Sequence, residues 1–288
     1  MKRLLALFCL VILNISSSQA ATNTIGTFSS ARLHIFASTT LFAGGLIDDA
    51  RAALIADGHT LQNLDAGITT DALATVDILY LNEAFEGPRV LTETEANVVA
   101  AWVNAGGTMI VQADLTFGTY YNNLAAKFNN VQYLGDSEDT GLDPAYAITT
   151  PYPRLTNGPY GEVSTVLVAR TGVVDPGASS GLSLRDNSLG SFLYVLAPDT
   201  GFSGSGTAIF LTDINTFDDP GNQNGFATAD GAALWRNMFS LETNAPVNYS
   251  VGGTVSGLTG SVTLQNNGGD DIIKTTNDGF TFTAQAEG

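Results

Sequence analysis

The stretch Val76 to Ala113, VDILYLNEAFEGPRVLTETEANVVAAWVNAGGTMIVQA, decides the fold class. Its two ends, Val76 to Leu81 (VDILYL) and Thr108 to Ala113 (TMIVQA), are near-continuous apolar runs of strand length. Between them lies a helix with marked ends. Thr92-Glu93-Thr94-Glu95 has the capping-box form, in which Thr takes the third amide of the helix and Glu reaches back to the cap. Val98, Val99, Trp102 and Val103 supply the apolar stripe, and Gly106-Gly107 stops the helix. Strand, capped helix, strand, with strands apolar on both faces, predicts a parallel sheet covered on two sides.

The same alternation extends outward. Arg32 to Ser38 (RLHIFAS) reads as a strand, Leu41 to Asp57 has helical spacing stopped by Gly58, and Thr60 to Leu64 reads as a second strand. Beyond the central stretch, Tyr120 to Phe128 is expected as a helix. Asp136 to Pro176, punctuated by Pro144, Pro151, Pro153 and Pro159, offers one clear strand, Val163 to Ala169. Ser191 to Leu196 (SFLYVL) and Thr207 to Thr212 (TAIFLT) read as a hairpin at the far side of the sheet, and Asp230 to Leu241 as a last helix. After a linker over residues 243–248 the period changes to two, with Thr254 to Leu258, Ser261 to Gln265 and Gly279 to Thr283 alternating between Gly and Asn turns. About forty residues are too few to close a β-sandwich. They read as the start of a longer protein's β module, or as strands that lean on the first domain or on a partner.

The N-terminus carries an address. Lys2 and Arg3, the apolar run Leu4 to Ile15 and the small-x-small sequence Ser18-Gln19-Ala20 form a secretory signal over residues 1–20, too short to span a bilayer. Phe8 ahead of Cys9 is too bulky for a lipoprotein site, so ordinary cleavage near Ala20 is expected. Cys9 is the sole cysteine, so the exported chain, whether periplasmic, extracellular or surface-bound, would hold no disulfide. The formal charge is −17, and without the leader 9 basic residues face 28 acidic ones. Such a surface repels phosphate backbones and anionic lipid, which argues against nucleic-acid and membrane partners.

Asp77-Ile78-Leu79-Tyr80-Leu81-Asn82, the helix start Leu91-Thr92-Glu93, Gly158-Pro159-Tyr160-Gly161, and Gly204-Ser205-Gly206 leading into a strand that ends in Asp213 together resemble the class I glutamine amidotransferase-like superfamily. The look is of its exported, trehalose-utilisation-type bacterial relatives. The resemblance covers residues 31–242, after a linker over 21–30, and implies a flavodoxin-like three-layer α/β/α fold with a mostly parallel sheet. The tail over 249–288, with Tyr249 to Leu258 (YSVGGTVSGL), resembles the opening of an immunoglobulin-like or prealbumin-like surface repeat. Activity does not carry across. Amidotransferases of this class use a Cys nucleophile with a later His and Glu, whereas the matching turn here holds Asp114 and Leu115, and both histidines, His34 and His59, lie early.

Other chemistry is thin. Gly177-Ala178-Ser179-Ser180-Gly181 fits G-x-S-x-G by letter, but Asp175-Pro176 precedes it and no His follows. The histidine spacing makes no zinc site. In open parallel sheets ligands collect beyond the carboxyl ends of the strands. Ser38, Asn82, Glu83, Asp114, Asp213 and Asn215 stand there, a set suited to sugar hydroxyls or to a hard cation such as calcium. The competing duty for such residues is capping helices and tying loops. Asp213 to Asp230 forms a second cation candidate through Asp218, Asp219 and Asp230, though Phe217 in the fifth place and no Glu in the twelfth rule out an EF-hand. Tyr120, Tyr121, Tyr152 and Tyr160 are candidates for stacking on sugar rings. Three functions follow as expectations. The first is an exported, non-catalytic binding or surface-assembly module for a glycan or other extracellular polymer. The second is a divergent hydrolase using Glu83, Asp114 and Asp213, with or without a metal. The third is a structural domain that presents its C-terminal repeats.

Overall fold

A computed structural model describes residues 20–28, 47–82, 90–136, 141–169, 171–186, 190–220, 223–241, 248–249, 252–266, 269–282 and 285–286. The chain divides into two compact units, with residues 19–244 in one and 245–288 in the other.

The first unit opens with β1 (Thr24–Thr27), α1 (Asp48–Ala56), β2 (Thr60–Asn63), α2 (Thr70–Leu73), β3 (Ile78–Asn82), α3 (Glu93–Asn104) and β4 (Thr108–Gln112). There follow α4 (Asn122–Ala125), β5 (Gln132–Asp136), β6 (Leu142–Ala147), α5 (Pro153–Thr156), β7 (Asn157–Gly158), β8 (Gly161–Glu162), β9 (Thr165–Ala169) and β10 (Gly172–Asp175). β11 (Leu182–Asp186), β12 (Ser191–Leu196), β13 (Thr207–Leu211) and α6 (Gly231–Phe239) complete it. The large sheet runs β2-β1-β3-β4-β13-β12-β10-β5, with β11 also on β12. From β2 to β13 every pairing is parallel; from β13 to β12 and beyond every pairing is antiparallel.

Alternation inside the apolar runs sends side chains to two cores. Ile78, Tyr80, Ile110, Ile209 and Leu211 pack with Leu54 of α1 and with Leu234, Trp235, Met238 and Phe239 of α6. Leu79, Leu81, Met109, Val111 and Phe210 pack on the other face with Val99 and Val103 of α3 and Leu124 of α4. Tyr80 stands edge-on to Trp235 and Phe239 at 5.6 and 5.2 Å, and the Trp235 indole donates to the Ala50 carbonyl at 2.9 Å. The capping box of α3 is present: Thr92 Oγ1 accepts from Glu95 N, and Glu95 Oε2 from Thr92 N. Glu95 Oε1 also accepts from Ile68 N at 3.1 Å, fastening the segment that leads into α2.

Four expectations need correction. The segment 21–30, read as a linker, contains β1, which sits between β2 and β3. TIGT offers a single large apolar residue, so no run betrayed it. Its burial comes from tertiary placement: Ile25 and Thr27 are covered, and a Cβ on Gly26 would lie 2.8 Å from Leu64 and Val76. The strand expected over Arg32 to Ser38 and the linker over 243–248, apart from Asn248, lie outside the described residues. The helix expected over Tyr120 to Phe128 shrinks to α4, preceded by a 3-10 turn over Leu115–Tyr121. The segment 136–176 is richer than one strand, because its short strands pair only with distant partners: β6 with β9, and β10 with β5 and β12. The β12–β13 hairpin is not at the far side either; β13 lies against β4, and the sheet continues past β12.

In the second unit, β14 (Asn248–Tyr249) pairs with β19 (Gln285–Ala286), β15 (Gly252–Thr254) with β18 (Gly279–Thr281), and β16 (Val262–Asn266) with β17 (Gly269–Lys274). All three pairings are antiparallel. Among the described residues no helix is long and apolar enough to cross a membrane.

Candidate functional site

At the carboxyl ends of β3, β4 and β13 the sheet gathers Asn82, Gln112, Asp114 and Asp213, all buried. Register explains the meeting: Gln112 is level with Asn82 on one side and with Leu211 on the other. Gln112 bridges the group. Its Oε1 accepts from the Tyr80 hydroxyl at 2.5 Å, and its Nε2 donates to the Asp213 carbonyl at 2.9 Å. The Tyr121 hydroxyl donates to the Asn82 carbonyl at 2.6 Å.

Asp213 is the centre of this arrangement and is fully buried. Its Oδ2 accepts from Ala169 N at the end of β9 at 2.5 Å, and its Oδ1 from Asn215 N at 2.6 Å. Burial pushes its carboxyl well above the usual aspartate range, and the charge of Asp114 pushes in the same direction; the two amide donors oppose the shift. Structurally, the carboxylate ties the edge of the β6–β9 ladder to the end of β13.

The sequence-derived set is thus only partly assembled. Asp114, Asp213 and Asn215 meet, and Asn82 lies level with Gln112 alongside them; Ser38 and Glu83 lie outside the described residues. The second set, Asp218, Asp219 and Asp230, is not brought to one point, and each carboxylate has its own backbone partners. Asp218 accepts from Gln223 N at 3.0 Å, Gly225 N at 2.7 Å and Asn215 Nδ2 at 2.9 Å, closing its own loop. Asp219 accepts from Asp48 N and Asp49 N at 2.5 and 3.0 Å, and so covers the open amides at the start of α1. Asp230 Oδ2 accepts from Ser164 N and Thr165 N at 2.8 and 3.0 Å, which ties the loop to β9 and lowers its pKa against the cost of burial. Among the described residues, no group of three or more His, Cys, Asp or Glu could hold a metal ion.

The remaining candidates are occupied with packing. Tyr121 and Tyr152 are 4 % and 3 % exposed, which leaves no face for a sugar, and the Arg236 guanidinium covers the Tyr160 ring at 3.8 Å. Tyr120 is 38 % exposed. Ser179 Oγ donates to the Pro176 carbonyl at 2.5 Å and lies 2.7 Å from the Tyr194 hydroxyl, a turn contact. His59 Nδ1 accepts from Asn23 N at 3.0 Å, and burial lowers its pKa. Gln112 and Tyr80 escaped the sequence reading, although a lone Gln at the end of TMIVQA was a signal for a buried polar bridge.

No known family's sequence profile matches the chain, and no curated protein matches it. Solved structures similar to it include the following two. The mmIFT52 N-terminal domain is 14 % identical, with 77 % of this chain and 100 % of that one covered at a TM-score of 0.54. The cytoplasmic protein STM3548 from Salmonella typhimurium is 12 % identical, with 75 % and 96 % covered at a TM-score of 0.50. At these identities the likeness is one of fold, and it defines a mixed α/β protein.

Proposed function

We propose that this chain is an exported, non-catalytic module for binding or surface assembly, built on a three-layer, flavodoxin-like plan of the amidotransferase-like kind. The reading is carried by one observation: Asp213, Asp218, Asp219 and Asp230 each accept two backbone amides and so serve as fasteners of the fold. A carboxylate aimed at amides of its own chain has its lone pairs directed away from substrate or cation. Glycans or another extracellular polymer remain the class of partner proposed, with calcium the one cation considered.

A purely structural duty, presenting the C-terminal strands, has specific support of its own. That reading requires the strand-end carboxylates to lie under the Pro-rich segment, and one amide that holds Asp213 comes from that segment, at Ala169. The test combines a panel of chromogenic esters, glycosides and phosphate esters with a glycan array. Wild-type protein should turn over none of the panel. Turnover that a folded Asp114→Asn variant loses would establish the hydrolase instead, and a blank glycan array would leave the structural duty.

A further inference from the structure

The first strand of the sheet begins almost where the leader read from the sequence ends. Only Ala21 and Thr22 separate the bond after Ala20, the expected cleavage point, from Asn23, whose backbone is held on both sides. The Asn23 N–H donates to His59 Nδ1 at 3.0 Å, and its carbonyl accepts from Thr60 N at 3.1 Å. Its side-chain amide donates to the Phe239 and Leu241 carbonyls at 2.8 and 3.1 Å, where α6 ends, and the residue is buried. Thr24 is held in turn by Asp77. Its N–H donates to Asp77 Oδ2 at 2.7 Å, and its carbonyl accepts from Asp77 N at 2.9 Å. From there β1 runs between β2 and β3, so it leaves the sheet only by breaking a ladder on each side. Ala20 and Ala21 are themselves half-buried.

A peptidase closes on extended chain on both sides of the bond that it cuts, so burial and hydrogen bonding of the flanking backbone decide whether it can act. Two residues reach at most about 7 Å, little more than the spacing of two strands. A peptidase cleft that extends beyond Thr22 therefore meets Asn23 and the head of β1, which must come out of the sheet first. Where such opening is fast against cutting, the rate of cutting follows the population of the open form. We propose that maturation has a fixed order: the bond after Ala20 is cut before β1 seats, and a precursor that folds first keeps its leader. This order rests on the export reading above and deepens it. Asn23, gripped by His59 and by the end of α6, is the clasp that closes on the new N-terminus once the leader has gone.

The test uses precursor carrying its own leader, purified in denaturant. One portion is refolded, with tryptophan emission reporting the fold, and another is diluted unfolded, each into detergent micelles that hold a bacterial leader peptidase. Mass spectrometry follows the initial rate of cleavage after Ala20. The refolded precursor should be cut at least about a hundredfold more slowly than the unfolded one. Inserting about six Gly and Ser residues between Ala21 and Thr22 lengthens the reach to about 26 Å and leaves Asn23 in place. That variant, refolded, should be cut within about threefold of the unfolded rate, because an open form is no longer needed. Equal rates for refolded and unfolded wild type overturn the proposal. So does an insertion variant that stays resistant when folded, since the resistance would then lie elsewhere. An unfolded precursor that is not cut after Ala20 overturns the export reading itself, and the order with it.

Discussion

Replacing Asp213 with alanine should unlock the joint between β9 and β13 and leave two partly buried amides, Ala169 N and Asn215 N, without their acceptor. Stranding a donor away from water costs up to about 1–3 kcal/mol. Against the sum stands relief from burying a carboxyl beside Asp114, so the expected net loss is about 2–4 kcal/mol. With a urea slope of about 2–3 kcal/mol per M, the midpoint should fall by about 1–2 M. Tryptophan fluorescence is the suitable probe, because Trp102 and Trp235, the two tryptophans, both lie in the α/β unit. Asp213→Asn retains one acceptor and should lose less. The pH dependence has a definite sign. A carboxyl whose folded pKa is raised keeps its proton where the unfolded chain has shed it, so its contribution is full below the ordinary value of 3.8 and declines as pH climbs towards the folded pKa. The gap between wild type and Asp213→Asn should therefore narrow from acid towards neutral pH. A midpoint in Asp213→Ala equal to or above wild type would refute the fastener argument. Groups kept for function are commonly held at a cost to stability, and their removal stabilises.

Two further outcomes test the surrounding structure. His59 is held neutral by burial, with Nδ1 accepting from Asn23 N and Nε2 3.4 Å from Ser240 Oγ. Its folded pKa lies below 6.5, so the unfolded chain takes the proton first, and stability present above 6.5 is lost as pH falls through that value. The urea midpoint should drop from pH 7.5 to about pH 5.5 and should drop less in His59→Gln; equal slopes in the two proteins would sink the assignment. Ala229 is exposed and adopts a left-handed φ of 52°, a conformation that costs a residue with a Cβ about 1 kcal/mol. Ala229→Gly should raise the midpoint by a net of about 0.5 kcal/mol after the greater freedom of the unfolded glycine, and a lower midpoint would contradict the strain.

The parallel half of the sheet was legible because its strands are apolar on both faces and its helices carry local signals. VDILYL, TMIVQA and TAIFLT are β3, β4 and β13 to within two residues, and Thr92 and Glu95 make the expected capping box. β1 was not legible. Thr24 to Thr27 becomes a strand because parallel neighbours flank it on both sides, and Gly26 is fitted to Leu64 and Val76, which lie far along the chain. The same physics explains β6 to β10, whose order rests on non-local pairing rather than on periodicity.

For the strand-end carboxylates, position was legible and duty was not. Asp114 and Asp213 meet at the ends of adjacent strands, as the strand-helix order requires. Yet a carboxylate is the same acceptor for a cation, a sugar hydroxyl or a backbone amide, and the choice depends on what the tertiary fold brings within 3 Å. For Asp219 that is the start of α1, 170 residues away, and for Asp230 it is the start of β9, 65 residues away. Both contacts answer a need that the backbone creates, since amides left open at the start of a helix or a strand take an acceptor where the fold supplies one. An acidic chain with a single cysteine, Cys9, has abundant carboxylates and cannot close a disulfide within itself to fasten distant segments. Their use as long-range amide acceptors is thus the first explanation to be tested, and a ligand is needed only for a carboxylate whose removal leaves the fold as stable as before.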